Sequence, residues 1–196
     1  NEGDEGDSDY GDSDSESDVP VDPSHDYSQD YLTFNITTSG SIATTVGSNT
    51  SYQYRKNGGE WTSVTSTISV TAGDVVEFKG TLQRYEHIKF ESSLCGFTVS
   101  GNVMSIYNPT TFTELTSMDY SNCFENLFKG CIGLTSAENL VLPATTLTPY
   151  CYVSMFEGCT SLTRGPVLEA ATLQEGSYGS MFKYCSSLNY IKCLAT

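Results

Sequence analysis

Seven cysteines hold the most reactive chemistry in this sequence, and three of them, Cys131, Cys159 and Cys185, recur at one place in an internal repeat. A thiol becomes a nucleophile or a metal ligand only as a thiolate, in an electropositive or metal-supplied setting. No Cys-x-x-Cys pair and no cluster of histidines is present, so no zinc spacing is formed. As the fourth member of an apolar stripe, these three thiols read as small buried hydrophobes. Cys123 and Cys151 share a second position that Ser177 fills in the third copy, which argues against a metal ladder. Two readings stand for that pair, buried thiols or a disulfide between neighbouring coils in a secreted protein. Cys95 and Cys193 have no evident partner.

The two histidines add little. His25 falls in an acidic run, and His87, within residues 84–89, has no nucleophile elbow beside it and reads as a surface or strand-edge imidazole. Glu86 and Glu91 are carboxylates whose spatial separation, the quantity glycoside hydrolysis depends on, the sequence does not give. No catalytic residue, metal or cofactor is expected.

The elements that would position a binding surface are legible through a repeat. Phe124, Leu127, Phe128, Cys131 and Leu134 recur as Tyr152, Met155, Phe156, Cys159 and Leu162, then as Tyr178, Met181, Phe182, Cys185 and Leu188, at offsets of 28 and 26 residues. The first four positions of each copy fall at i, i+3, i+4 and i+7, one face of a short helix. Thr148 and Pro149 fit a helix start, and Gly130 and Gly158 fit helix ends. Each unit is thus predicted to be a strand, a turn and a two-turn helix. One such unit has too little interior to stand alone, so the copies must stack into a solenoid.

Upstream, residues 31–93 alternate apolar and polar positions. Tyr31, Phe34 and Ile36 open the pattern, Tyr52 and Tyr54 lead through Asn57, Gly58 and Gly59 to Trp61 and Val64, and Ile68, Val70, a turn at Ala72, Gly73 and Asp74, and then Val75, Val76 and Phe78 follow. Short strands separated by turn residues predict a small antiparallel β-sandwich. The predicted class is therefore α+β: an acidic disordered tether over 1–30, a β-sandwich over 31–93, and a short leucine-rich-repeat (strand-turn-helix) solenoid over 94–196 whose first repeat is degenerate.

Net charge is −15, yet residues 1–30 contain 12 of the 24 carboxylates and no Lys or Arg. The remaining 166 residues set 12 acids against 9 bases, a net of −3. No basic surface exists to grip nucleic acid or an anionic bilayer. Asp7, Asp9, Asp12, Asp14, Glu16 and Asp18 alternate with small residues as calcium loops do, but without the EF-hand glycine-to-glutamate spacing; a solvated linker is the competing reading. No run approaches the ~20 apolar residues that cross a bilayer.

Residues 155–162 read Met-Phe-x-Gly-Cys-Thr-Ser-Leu, residues 142–147 read Leu-Pro-Ala-Thr-Thr-Leu, and the chain ends Cys-Ser-Ser-Leu-Asn-Tyr-Ile-Lys-Cys-Leu-Ala-Thr. In these motifs residues 94–196 resemble the BspA-type leucine-rich-repeat proteins of bacterial cell surfaces; residues 71–80 resemble them weakly. The resemblance implies a non-catalytic adhesion or binding protein, extracellular, either secreted or an outer-membrane surface lipoprotein touching the membrane only through an N-terminal lipid anchor. It implies as partner a protein or glycan of a host or neighbouring cell. A solenoid that stops on a repeat strand at Thr196 presents an apolar edge, which predicts cover from further chain or from another chain.

Aromatic residues supply the candidate contacts. Tyr152 and Tyr178 lie in the apolar stripe, whereas Tyr150, Tyr184 and Tyr190 fall outside it and are expected on the surface with Arg164 and Lys192, near the strand face at 163–165 and 189–192. The alternative is a carbohydrate-binding accessory module of a surface glycan-utilisation system, with Tyr52, Tyr54, Trp61 and Tyr85 as ring platforms. Against it, strand alternation sends some of these rings inward, and Trp61 reads as the core anchor of a small sandwich.

Overall fold

The computed structural model describes residues 24–194 apart from Thr50, Tyr85 and Ser92. The acidic run and the calcium-like spacing of Asp7 to Asp18 lie outside the described residues, as does Tyr85.

Ten strands form. They are β1 (Leu32–Thr38), β2 (Gly40–Ala43), β3 (Gln53–Lys56), β4 (Thr62–Ser63), β5 (Thr67–Val70), β6 (Val75–Lys79), β7 (Gly96–Asn102), β8 (Leu134–Val141), β9 (Arg164–Leu168) and β10 (Tyr190–Cys193). Eight of them make one mixed sheet in the order β10-β9-β8-β7-β1-β6-β3-β4, and β2 pairs β5 in a small second sheet. Alternation sends Leu32, Phe34 and Ile36 of β1 and Val76 and Phe78 of β6 to one face, where they meet Ile42 and Ile68 of the second sheet. Strand pairing changes sense at β7. It runs antiparallel to β1 and parallel to β8, so one hydrogen-bonded ladder carries the antiparallel half into the repeats.

The expected α+β class is overturned. Among the described residues there is no α-helix, only two short 3₁₀ turns, Tyr27–Gln29 and Val103–Ile106, and the protein is nearly all β. The i, i+3, i+4, i+7 spacing belongs to stacked turns. In the three segments 122–130, 150–158 and 176–184 every fourth residue has a left-handed backbone: Asn122, Asn126 and Gly130, then Tyr150, Ser154 and Gly158, then Gly176, Ser180 and Tyr184, with φ from 52° to 77°. An α-helix tolerates no such residues. A coil that turns once in four residues nevertheless repeats its inward positions at nearly helical spacing, which is why the pattern reads as a helix.

Hydrogen bonding confirms the substitution. Helical N–H groups would all point to the carbonyl four residues back. Here alternate N–H groups cross to the next coil: Asn122, Phe124, Asn126, Phe128 and Gly130 donate to the carbonyls of Pro149, Cys151, Val153, Met155 and Glu157 at 2.8 to 3.2 Å. The intervening residues close three-residue turns, as from Leu127 N–H to Phe124 O at 3.3 Å. Thr148 caps no helix; its hydroxyl donates to Tyr120 O in the preceding coil at 2.5 Å.

Side chains stack in the same register. Phe128, Phe156 and Phe182 form one ladder with ring centroids 5.4 and 5.5 Å apart, and Phe90 continues it at 5.8 Å from Phe128. Phe124, Tyr152 and Tyr178 form a second at 5.7 Å per step. Phe34 joins both halves of the core by packing on Phe78, Phe97 and Phe128.

Candidate functional site

The parallel strands β8, β9 and β10 bring three side chains into a row. Arg164 on β9 sits opposite Tyr190 on β10 in register, and its guanidinium holds both Glu138 carboxylate oxygens on β8 at 2.7 Å. The same guanidinium lies over the Tyr190 ring, 4.7 Å from its centroid. A planar cation fixed by a carboxylate on one side and an aromatic ring on the other presents an ordered polar and aromatic surface. The Glu138 carboxylate raises the Arg164 pKa further above its already high value. Tyr190 is 42% exposed, so its ring remains open to a ligand. Lys192 pairs in register with Val167, one further step along the edge strand.

The five expected contact residues divide into two groups. Arg164, Tyr190 and Lys192 share the strand region, whereas Tyr150 and Tyr184 lie on the turn segments. Both of those tyrosines are exposed and both hold left-handed backbones. The Tyr150 hydroxyl donates to Glu175 in the next coil, which pushes the phenol pKa up, and Lys183 lies over the Tyr184 ring at 4.8 Å. A charge ladder runs beside them, with Glu157 between Lys129 at 3.5 Å and Lys183 at 4.0 Å.

A cleft of about 280 Å³ lies beside the Glu138 end of the row, walled by residues 25–28 and floored by β8 and β9, with Asp26, Tyr27, Val167 and Glu169 in its lining. Sequence reasoning missed this wall. Residues 24–30 cross the strands because Asp26 caps the 3₁₀ turn, accepting from Ser28 N–H at 3.0 Å and Ser28 Oγ–H at 2.6 Å, bonds that lower its pKa. Asn102 holds the segment down, its side-chain amide donating to Ser28 O at 3.0 Å and its backbone N–H to Asp30 O at 3.0 Å. The one signal was the Asp26-x-Ser28 spacing of an Asx turn.

Elsewhere the expected sites change character. Tyr52, just before β3, is 2% exposed, and Tyr54 of β3 leans on Phe78 at 6.4 Å, so both face inward. Trp61 is not the core anchor. It is half-buried on the other face of the sheet, edge-on to Tyr31 at 5.0 Å and under two cations, Arg55 at 4.8 Å and Lys79 at 4.2 Å. Arg55 alternates with Tyr54 and so points outward, where Glu77 holds it in a bidentate pair at 2.6 and 2.7 Å. A common platform of Tyr52, Tyr54 and Trp61 therefore does not form.

None of the seven cysteines forms a disulfide. Cys131, Cys159 and Cys185 each donate to a phenylalanine carbonyl one coil back, Phe90 at 2.8 Å, Phe128 at 3.1 Å and Phe156 at 3.0 Å. Burial pushes the Cys95 and Cys151 pKa values up to about 11 and that of Cys123 to about 12. Those thiols stay protonated, which suits packing and not nucleophilic attack. Among the described residues no group of three or more His, Cys, Asp or Glu side chains is placed to hold a metal ion. His87 is half-buried, with Nε2–H donating to Glu125 O at 2.9 Å, so it joins the antiparallel half to the first coil. Among the described residues no helix is long and apolar enough to cross a membrane.

No family model, curated protein or solved structure matches this chain.

Proposed function

We propose that the chain is a non-catalytic, extracellular binding or adhesion protein that presents the Glu138–Arg164–Tyr190 row and the neighbouring cleft to a protein ligand. The observation that carries this reading is the double restraint on Arg164: bidentate to Glu138 and placed over the Tyr190 ring, it is held in place without being buried. Exposed aromatic and arginine side chains that are already ordered lose little entropy on docking. The resemblance to BspA-type surface proteins supplies the cell-surface setting. The carbohydrate reading loses its platform because Tyr52 is buried and Trp61 is engaged by Arg55 and Lys79.

The test is a binding screen of the purified chain against extracellular matrix proteins and polysaccharides. Saturable binding to a protein, weakened at least about tenfold by Arg164→Ala or Tyr190→Ala with folding intact, supports the proposal; about tenfold is 1.4 kcal/mol. Polysaccharide binding indifferent to both substitutions, or hydrolytic turnover of a sugar polymer, overturns it.

A further inference from the structure

A half-buried lysine without a counter-ion stands on the outward face of the antiparallel half. Register across the sheet sets Gln53 of β3 beside Lys79 of β6 and Arg55 beside Glu77, and all four turn outward because Tyr54, Val76 and Phe78 alternate inward. Glu77 gives both carboxylate oxygens to Arg55. Glu60, next to Trp61 in sequence, is exposed and pairs with no cation among the described residues. Lys79 has no ion pair there either. Its ammonium lies over the Trp61 ring, 4.2 Å from the centroid, and the ring attracts that charge without neutralising it. The indole Nε1–H likewise has no acceptor among the described residues.

These donors are held in place. Trp61 stands edge-on to Tyr31 at 5.0 Å, Phe112 backs Tyr31 at 5.2 Å, and Arg55 lies 4.8 Å from the indole centroid and 5.7 Å from that of Tyr31. Beside them runs an open strand edge. β4 closes the sheet on this side, pairs only with β3, and exposes both of its residues. The Val64 N–H donates to Tyr52 O at 3.0 Å, so the facing pair Gln53 and Ser63 is the kind that exchanges no hydrogen bonds. The Ser63 N–H and C=O therefore point away from β3, and no strand takes them up.

We propose that this corner is a docking site for an extended acidic segment of a partner polypeptide. The segment lies along β4 and exchanges main-chain hydrogen bonds with Ser63, and every second side chain falls on the outward face. There a carboxylate meets the Lys79 ammonium and the Trp61 N–H in charge-assisted bonds that Glu77, committed to Arg55, does not make. The edge offers one donor and one acceptor, which matches a polypeptide backbone and not a phosphate or sulfate group, which only accepts. An edge two residues long pairs little backbone, so the charge carries most of the affinity and binding weakens as salt is added. The site makes no use of the Arg164 row.

Trp61 is the only tryptophan in the chain, so indole emission reports on this corner alone. The full chain at low salt is titrated with a blocked octapeptide that alternates glutamate and threonine. Emission should change saturably, and the glutamine counterpart of the peptide should leave it unchanged. Lys79→Gln should weaken binding at least about tenfold while Lys79→Arg retains it, which separates the charge from the fold. Ser63→Pro, which deletes the outward N–H at an edge position that accepts proline, should also weaken it. Arg164→Ala should bind as the parent does. An absent response overturns the proposal, as does binding that is indifferent to Lys79→Gln or to Ser63→Pro, or that is lost with Arg164→Ala. Equal saturation by inorganic phosphate or by heparin marks a general anion site and overturns the polypeptide as ligand. Emission that follows protein concentration without peptide points to a second copy, and emission that follows salt but ignores the peptide points to the chain's own carboxylates; either overturns the partner.

Discussion

The Cys159 thiol donates to the Phe128 carbonyl, 31 residues back and one coil away, at 3.1 Å. That carbonyl already accepts the Cys131 N–H at 3.1 Å, so the thiol uses its second lone pair and ties two coils at the foot of the phenylalanine ladder. Cys159 is fully buried. Cys159→Ala is expected to cost about 1 to 2 kcal/mol, from a small cavity and a lost weak hydrogen bond. The same change at half-buried Cys185 should cost less, as urea denaturation midpoints at constant m-value would show. A thiol-alkylating reagent applied to the native protein should modify exposed Cys193 and leave Cys131 and Cys159 untouched until unfolding.

The middle ring carries more weight than the terminal one. Phe156 is fully buried between Phe128 and Phe182, 5.4 and 5.5 Å away, whereas Phe182 has a ring on one side only. Phe156→Ala is expected to destabilise by about 3 to 5 kcal/mol and Phe182→Ala by clearly less. Equal losses at the two positions would show that the third coil is already covered.

The left-handed positions make a different kind of prediction, one about backbone alone. Gly158 has φ +77°, and a Cβ built there would lie no closer than 3.6 Å to its neighbour, the Gly130 backbone. Space is therefore not the obstacle, and Gly158→Ala should cost about 1 to 2 kcal/mol purely from the left-handed conformation. At Ser154, with φ 53°, replacement by valine should destabilise by a similar amount, while Ser154→Gly should be near neutral because relief of the backbone is offset by extra freedom in the unfolded chain.

These positions also explain which parts of the fold were legible in the sequence. The apolar stripe at Phe124, Leu127, Phe128 and Cys131 correctly marks what lies inside, because inward spacing is shared by a helix and by a coil turning every four residues. What distinguishes the two is Asn122, Asn126 and Gly130, three residues tolerant of positive φ at four-residue intervals; Ser and Tyr at the matching places of later coils hide the signal. Strand alternation marks the stretch holding Phe34, Val76 and Phe78 as β, and all three are buried. Size misassigned Trp61 to the core, whereas it lies outside beside the outward-facing Arg55. Tyr190 and Arg164 were both nameable as surface residues, yet their meeting depends on the β9–β10 register, which is set by the 26-residue coil length and an irregularity after Tyr190. The cleft wall at 25–28 was hidden because the acidic composition of its surroundings masks a single Asx turn.

Acidification should loosen the junction between the antiparallel half and the first coil. His87 is held below the ordinary histidine pKa of 6.5 chiefly by burial, with Lys89 adding to the effect and the Glu125 carbonyl and the charges of Glu125 and Glu91 opposing it. A depressed folded-state pKa means that the folded protein resists a proton the unfolded chain accepts. Stability is then complete above pH 6.5 and falls as the pH drops through 6.5 toward the folded value, below which the loss levels off. Asp26 and Glu157, whose folded pKa values are also lowered, lose their contributions only in the carboxylate range, so the interval between about pH 7 and pH 5 isolates the imidazoles. His87→Gln, which keeps a side-chain N–H for Glu125 O, should flatten that part of the stability profile while His25→Gln leaves the His87 slope in place. A slope unchanged by His87→Gln would mean that the imidazole is solvated and that Glu125 O is not its partner in solution.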